Sequence, residues 1–267
     1  MNKSLTRPLA VVTGASNGIG YELAKQFAEK GFDLVVTATG QSINQAAQAF
    51  ENLGVQVETV QTDLATYEGV EALYNQIKAT GRPVDAIAIN AGVGVGGEFA
   101  SETDLKDELN LIDLNVVSSV HLAKRVVKDM VERGQGKILF TSSIAALMPG
   151  PFEVVYAASK AFIRSFSQGL RNELKDTGVT VTALMPGPTD TNFFHRAGMD
   201  DTKAATDQKD DPALVAKEGF EALMAGKDEV IAGSLKTKLQ GVVSRVLPET
   251  VNAQQHRQLT EPGSGNN

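Results

Sequence analysis

The chain alternates short runs of valine, isoleucine and leucine with longer segments of helical periodicity, and this alternation restricts its fold more than any other feature. Seven apolar runs are predicted to be strands, at residues 9–13, 33–38, 56–61, 85–90, 137–142, 180–185 and 229–232. Strands that are apolar on both faces are typical of parallel sheets covered by crossover helices. We therefore expect an α/β fold of the Rossmann type, with a doubly wound, seven-stranded, mainly parallel sheet and helices on both faces.

The predicted sheet also decides the number of domains. A chain of 267 residues could hold one domain or two, but one continuous sheet makes residues 1–233 a single domain, with a substrate loop at about 188–211. Apolar residues recur at helical spacing from Leu235 to Leu247, which predicts a C-terminal amphipathic helix over 234–250. That helix is expected to cover its own domain or a sister subunit. Residues 251–267 are predicted to be a mobile tail.

Composition excludes several classes of function. The chain has 25 Lys and Arg residues against 32 Asp and Glu, a net charge of -7, so it offers no basic surface for nucleic acid. It has no cysteine and three scattered histidines, which predicts no metal site. It contains no apolar stretch long enough to span a membrane, and Met1 to Pro8 lack the features of a signal peptide. We expect a cytoplasmic protein without a membrane partner.

A glycine-rich turn connects the first predicted strand to the first helix. Gly14 permits the tight turn, Gly18 lets the backbone approach a pyrophosphate, and Gly20 lets helix and strand pack closely. The helix N-terminus then directs its free N–H groups at the anion. Three glycines could serve only as turn residues, but their position between a strand and a helix favours a dinucleotide site.

This turn, Thr13 to Gly20, resembles that of the classical short-chain dehydrogenase/reductase family, and further family motifs follow in order up to about residue 232. They are Asp63-Leu64, which in the family contacts adenine, Asn90-Ala91-Gly92, which lies along the cofactor, and the segment Pro186 to Thr189 on the nicotinamide side. The resemblance implies a set of cofactor-binding residues: Gly14, Ser16, Asn17, Gly18, Ile19, Gly20, Thr39, Asp63, Leu64, Asn90, Ala91, Gly92, Tyr156, Lys160, Pro186, Gly187 and Thr189.

The end of the second strand indicates which nicotinamide cofactor is used. Sites selective for NAD usually have an acidic residue there, which binds the ribose 2′-hydroxyl and would repel a 2′-phosphate. Here that residue is Ala38. The hydroxyls of Thr39 and Ser42 could bind a phosphate, although Thr39 and Gly40 replace the arginine that is frequent in the family. NADP(H) is therefore favoured, and NAD(H) is the alternative.

The family's catalytic pair, Tyr-x-x-x-Lys, places both side chains on one face of a helix. The bare pattern is not specific, because it occurs three times, at Tyr21 with Lys25, Tyr74 with Lys78, and Tyr156 with Lys160. In the family a serine lies thirteen positions before the tyrosine. Of the three pairs, only Tyr156 has that serine, Ser143, which we prefer on spacing to the adjacent Ser142.

The resemblance implies a role for each of these residues. Tyr156 would be the general acid/base for a carbonyl or secondary alcohol, since hydride transfer requires a proton donor or acceptor at the substrate oxygen. Lys160 would lower the pKa of Tyr156 and hold the nicotinamide ribose, while Ser143 would orient the substrate oxygen. Asn115 matches the fourth family position, which holds a water connecting the lysine to solvent. The other interpretation of Asn115 is a core hydrogen bond.

The substrate site is expected at Ser143, Ile144, Ala145 and Phe193, on the segments that follow the fourth, fifth and sixth strands. Their apolar character suits an apolar small-molecule substrate, although the same residues could only pack the loop. His195 is expected on the surface or in a lid. The resemblance implies a homodimer formed through the fifth and sixth helices, or a homotetramer.

Two other functions also fit a chain with this cofactor turn. One is a catalytically silent NAD(P)-binding regulator, and the other is an epimerase that acts on sugar nucleotides. The four residues Asn115, Ser143, Tyr156 and Lys160 together favour a dehydrogenase or reductase over both.

Overall fold

The computed structural model describes residues 7–266 and contains one seven-stranded, fully parallel sheet. Residues 1–6 of the predicted domain and residue 267 of the predicted tail lie outside this range. The sheet order is β3-β2-β1-β4-β5-β6-β7, which confirms the expected Rossmann-type fold. The strands are β1 (Leu9–Thr13), β2 (Asp33–Ala38), β3 (Val57–Gln61), β4 (Ala86–Ile89), β5 (Gly136–Thr141), β6 (Val179–Pro186) and β7 (Glu229–Ala232).

Helices connect the strands and extend the chain beyond β7. They are α1 (Gly18–Glu29), α2 (Ser42–Glu51), α3 (Tyr67–Ala79), α4 (Leu105–Ile112), α5 (Ser118–Arg133), α6 (Val154–Glu173), α7 (Phe193–Arg196), α8 (Lys203–Thr206), α9 (Pro212–Met224), α10 (Leu235–Ser244) and α11 (Glu249–Thr260). A π-helical turn, Asp113–Val117, joins α4 to α5, and a 3₁₀ turn, Ile144–Leu147, follows β5. Asp211 caps α9, accepting a hydrogen bond from the Ala213 N–H at 2.9 Å.

Two apolar layers cover the two faces of the sheet. Successive residues of β1 alternate between them: Val12 packs in the layer that contains Phe27 of α1, and Val11 in the layer that contains Leu122 of α5. These side chains are at most 1% exposed. The strand order reverses between β1 and β4, so the connections at their carboxyl ends diverge and leave a crevice.

The C-terminal segment corrects one expectation. Residues 251–267 were expected to form a mobile tail, whereas the structure has helix α11 there, docked on the domain through Asn252, His256 and Thr260. These buried residues recur every four positions, which is a helical spacing, but they are polar. Asn252 donates to the Ser244 carbonyl and Thr260 to the Pro151 carbonyl, each at 2.8 Å. Because the fully buried residues of the helix are polar and Leu259 is its apolar contact with the domain, hydrophobic periodicity does not reveal it.

Helix α10 lies within the predicted amphipathic helix, but its apolar stripe faces outward. Leu235, Leu239 and Val246, the last just beyond the helix, are 85%, 66% and 80% exposed. The buried face instead carries Thr237, which donates to the Asp210 carboxylate at 2.5 Å. The stripe therefore does not cover its own domain, and the other expectation, that it covers a sister subunit, stays a prediction. Among residues 7–266 there is also no helix long and apolar enough to cross a membrane.

Candidate active site

A cleft of about 500 Å³ opens at the carboxyl ends of β1, β4, β5 and β6. The residues predicted to bind cofactor or substrate line it, apart from Ser42, and so do the catalytic candidates Ser143, Tyr156 and Lys160. Asn115 is the exception, since it is 2% exposed and lies behind the wall at Gly92. The residues that resemblance places along the sequence therefore converge on a single cavity.

The glycine turn forms the part of the cleft at the end of β1. Gly14 and Gly18 have φ angles of 68° and 57°, in the left-handed region that favours glycine. A side chain at Gly20 would collide with the Gly14 carbonyl oxygen. Asn17 precedes α1 without a side-chain cap, so the first N–H groups of α1 stay available to an anion. This backbone surface fits the pyrophosphate of a dinucleotide.

Buried hydroxyls fix the next strand beside that turn. The Thr13 hydroxyl accepts hydrogen bonds from the N–H groups of Asn90 and Ala91, both at 2.9 Å. The Asn90 amide donates to the Thr13 carbonyl at 3.1 Å, and the Thr141 hydroxyl donates to the Asn90 side-chain oxygen at 3.0 Å. The Asn90-Ala91-Gly92 segment is thus held along the cleft by β1 and β5, and sequence reasoning missed the two threonines.

The end of the cleft that is predicted to hold adenosine, called here the adenosine end, lies at the ends of β2 and β3. Ala38 and Thr39 line it together with Asp63 and Leu64. Asp63 accepts a hydrogen bond from the Ala65 N–H at 2.9 Å, which shapes this turn. No carboxylate stands at the end of β2 among the described residues, because position 38 is alanine. Position 38 therefore carries no negative charge that would repel a 2′-phosphate.

Tyr156 and Lys160 lie in the first two turns of α6. The Lys160 ammonium is 5.6 Å from the centre of the Tyr156 ring and donates to the Thr141 carbonyl at 3.0 Å. A Cβ added at Gly92 would lie 3.2 Å from that ammonium, so Lys160 borders the cleft opposite the end of β4. The pairs Tyr21 with Lys25 and Tyr74 with Lys78 lie elsewhere and do not line the cleft.

The adjacent serines at the end of β5 have different partners. The Ser142 hydroxyl donates to the Lys160 carbonyl at 2.8 Å and so ties β5 to α6. The Ser143 hydroxyl accepts from the Ala145 N–H at 3.1 Å and lies close to Tyr156. Of the two, Ser143 is therefore the one placed to meet a substrate oxygen at Tyr156.

Asn115 occupies the π-helical turn between α4 and α5. Its amide donates to the Val93 carbonyl at 2.9 Å and to the Ser159 hydroxyl at 3.1 Å, and its side-chain oxygen accepts from the Val93 N–H at 2.9 Å. Such turns are frequent at functional sites. These contacts hold the strand end behind Gly92 in place, and the role of Asn115 in binding a water stays a prediction.

Burial dominates the electrostatics of Tyr156 in the protein alone. Burial and then the Glu153 carboxylate raise the pKa of Tyr156, with the Ser143 hydroxyl partly offsetting them. Burial lowers the pKa of Lys160 to about 8. The expectation that Lys160, together with an oxidised nicotinamide, lowers the pKa of Tyr156 concerns the protein with its cofactor and stays a prediction.

The substrate end of the cleft is largely apolar. The Phe193 ring lies 5.1 Å from the Tyr156 ring, and Ile144 and Ala145 are buried beside them. His195 is 78% exposed, pairs with Asp200 at 2.8 Å and does not line the cleft, so it lies on the surface. The described residues contain no cluster of side chains that could hold a metal ion.

Sequence reasoning missed a polar pair at this end. Glu153 and His256 both line the cleft, and their side chains are 3.1 Å apart, from the carboxylate Oε2 to the imidazole Nε2. Leu259 and Thr260 of α11 line it as well. Glu153 could have been found, because it lies one helical turn before Tyr156. The residues of α11 have no comparable spacing to a predicted site residue.

Comparison with known proteins identifies relatives of this arrangement. The chain matches the short chain dehydrogenase family model over residues 8–202. NADP-dependent 3-hydroxy acid dehydrogenase YdfG of Salmonella typhi is 33% identical over 80% of this chain and 87% of that protein. Sulfoacetaldehyde reductase 2 of Chromohalobacter salexigens is 31% identical over 80% and 86%. A short-chain dehydrogenase from Sphingobium yanoikuyae, solved with NADPH, has a TM-score of 0.78 and 30% identity over 84% of this chain and 87% of that one.

Proposed function

Because this chain belongs to the short-chain dehydrogenase family, we propose that it uses NADP(H) to interconvert an apolar carbonyl compound and its secondary alcohol, with Tyr156 as general acid/base. Membership makes the chain an NAD(P)-dependent oxidoreductase. When bound, the cofactor supplies or accepts the hydride. The observation that carries the proposal is the convergence of Ser143, Tyr156 and Lys160 on the cleft that the glycine turn borders.

The proposed roles follow from these positions. The Tyr156 hydroxyl gives its proton to the substrate oxygen during reduction and takes it back during oxidation. Ser143 donates a hydrogen bond that orients the same oxygen. Lys160 borders the cleft at Gly92, where its charge favours the phenolate and its N–H groups can reach a ribose hydroxyl. Asn115 fixes the backbone behind them.

NADP(H) is proposed over NAD(H) for two reasons. The first is Ala38, which removes the acid that would repel a 2′-phosphate. The second is that the 3-hydroxy acid dehydrogenase is named NADP-dependent and the Sphingobium enzyme was solved with NADPH. Thr39 lines the cleft beside Ala38 and offers a hydroxyl to the phosphate. A higher kcat/KM with NADH than with NADPH would contradict this choice.

The direct test is a panel of ketones and secondary alcohols assayed with all four forms of the cofactor. We expect a stoichiometric change in absorbance at the nicotinamide band with apolar ketones and NADPH. A silent regulator would bind NADPH without turnover, and an epimerase would turn over without a net change in the cofactor. Either result would overturn the proposal.

The assembly is proposed to be a homodimer formed through α5 and α6. Apolar side chains are exposed on this side of the molecule, including Val117 just before α5 and Phe162 on α6, which are 51% and 43% exposed. Neighbouring exposed apolar residues are typical of association surfaces. Light scattering after gel filtration should give twice the mass of the chain, and a monomer would contradict this proposal.

Cytoplasmic location stays a prediction from the sequence.

A further inference from the structure

Three side chains that bear on proton transfer lie at the start of α6. Glu153 occupies the N-cap position without a capping hydrogen bond from its side chain, and Tyr156 and Lys160 follow at the third and seventh positions after it. Tyr156 and Lys160 lie on the same side of the helix in successive turns, and Glu153 directly precedes that helix. Tyr156 is thus flanked along the helix by an acidic residue on one side and a basic residue on the other, with Lys160 at the cofactor wall and Glu153 toward the substrate end.

The acidic residue is held by the C-terminal helix. Glu153 and His256 are 5% and 6% exposed, and their side chains form a hydrogen bond of 3.1 Å. A buried carboxylate is costly unless it is paired. His256 comes from α11, 103 positions further along the chain and beyond the residues 8–202 that match the family. Part of the active-site electrostatics therefore comes from a segment outside the family match.

The backbone before Glu153 is fixed as well. Phe152 has a φ angle of 61°, an uncommon conformation for a residue with a side chain. Its carbonyl accepts a hydrogen bond from the Gly97 N–H at 2.9 Å, and the Arg257 guanidinium lies 4.9 Å from the centre of its ring. Contacts on its carbonyl and on its ring thus hold Phe152, the residue directly before Glu153, in this conformation.

The other charged groups near this pair are few. The titratable side chains that line the cleft are Asp63, Glu153, Tyr156, Lys160, Arg196 and His256. Asp63 lies at the adenosine end, and Arg196 is exposed on α7. Arg257, on α11 itself, packs on Phe152 and pairs with Glu261. Glu153 is therefore the carboxylate that acts on the Tyr156 phenol at short range, and its charge opposes ionisation of that phenol.

We propose that Glu153 and His256 are positioning residues that set the proton affinity of the Tyr156 hydroxyl. Glu153 raises that affinity through its negative charge, and His256 holds the carboxylate and partly offsets its charge through their hydrogen bond. The proposal rests on the proposed role of Tyr156. In this proposal α11 contributes to the active site, because its His256 binds Glu153.

The experiment compares three variants in the direction of alcohol oxidation, in which Tyr156 must be ionised and the rate rises with pH. Glu153→Gln removes the charge and should move the midpoint of the kcat/KM profile down by about 0.5–1 pH unit. His256→Leu removes the hydrogen bond that partly offsets the charge of the carboxylate, so its midpoint should move up. Thr260→Val removes the bond from α11 to Pro151 without a change of charge, and should leave the midpoint in place.

The double variant Glu153→Gln/His256→Leu tests the coupling. Without the carboxylate there is no charge for the hydrogen bond from His256 to offset, so the midpoint of the double variant should equal that of Glu153→Gln. An unchanged midpoint in Glu153→Gln would overturn the proposal. So would equal displacements in all three single variants, because that result would mean that the pair only docks α11.

A second measurement does not depend on turnover. The chain has four tyrosines and no tryptophan, so tyrosinate absorbance can be followed without an indole background. Titration with saturating NADP⁺, with the Tyr156→Phe protein as the reference, isolates the Tyr156 signal. The titration midpoint should fall in Glu153→Gln. If Tyr156→Phe keeps full turnover while the midpoint still falls, the proposed role of Tyr156 fails and the electrostatic pairing stands.

Discussion

At the cofactor end of the cleft the walls are mostly backbone, whereas at the substrate end they are side chains from segments far apart in the sequence. The glycine turn and the Asn90-Ala91-Gly92 segment present main-chain atoms, fixed by the hydroxyl of Thr13. The opposite end is closed by Phe193, by Glu153 and by His256 of α11. The first end is formed by segments that directly follow β1 and β4. The second combines side chains from the start of α6, from α7 and from α11.

The difference has a physical basis in what each end binds. A pyrophosphate is satisfied by N–H groups at a helix N-terminus, which any sequence with the right glycines provides. A substrate is distinguished by the shape and charge of the side chains around it, and these can vary without a change of fold. Substitutions at the first end should therefore act on cofactor binding, and substitutions at the second on substrate and proton transfer.

Tyr156 lies where the two ends meet, and its replacement should have the largest effect. Tyr156→Phe removes the proton donor and keeps the ring that contacts Phe193, so kcat should fall by about 10²–10⁴-fold while NADPH affinity stays near that of the wild type. Steady-state kinetics and calorimetric binding measure the two quantities. Tyr74→Phe is the matched control, because Tyr74 also has a lysine four positions later but bonds Asp129 away from the cleft. Comparable turnover in the two variants would refute the assignment.

The backbone end is tested by a single added methyl group. In Gly20→Ala the new Cβ meets the Gly14 carbonyl oxygen, so the turn must shift and the Kd for NADPH should rise by about 10–100-fold. Isothermal calorimetry gives this Kd directly. Gly169→Ala is the control: it lies in α6 with open space around it and should bind NADPH normally. If Gly20→Ala also binds normally, the turn does not need its glycine at this position.

The same contrast explains how far sequence reasoning reached. The apolar runs placed all seven strands within one or two residues of their positions, because buried parallel strands have a strong signal. The glycine turn could be predicted because it follows β1 directly, and the other predicted cleft residues came from the resemblance to the family's motifs. Helix α11 could not, since its buried face consists of Asn252, His256 and Thr260 and shows no apolar period. The contact between Glu153 and His256 depends on tertiary packing alone.

Cofactor choice is a smaller effect within the backbone end. Ala38→Asp places a carboxylate at the end of β2, where it would repel a 2′-phosphate and accept a hydrogen bond from a 2′-hydroxyl. The ratio of kcat/KM for NADPH to that for NADH should fall by about tenfold or more. The control is Ala38→Asn, because asparagine has nearly the size of aspartate but no charge. It should change the ratio less. Equal ratios in the two variants would show that charge at position 38 does not select the cofactor.

A change at Leu259 should have the smallest effect, and it tests the substrate end of the cleft without touching the cofactor end. Leu259 of α11 packs on the cluster of Phe194, Ala197, Met199 and Ala204, so Leu259→Ala should lower the free energy of unfolding by about 1–2 kcal/mol. The loosened wall should also raise KM for an apolar ketone by about 2–5-fold while the Kd for NADPH is unchanged. Leu239→Ala is the control, because Leu239 is 66% exposed on α10 and leaves no cavity. A rise in the Kd for NADPH in Leu259→Ala would contradict the division of the cleft, since α11 would then support both ends.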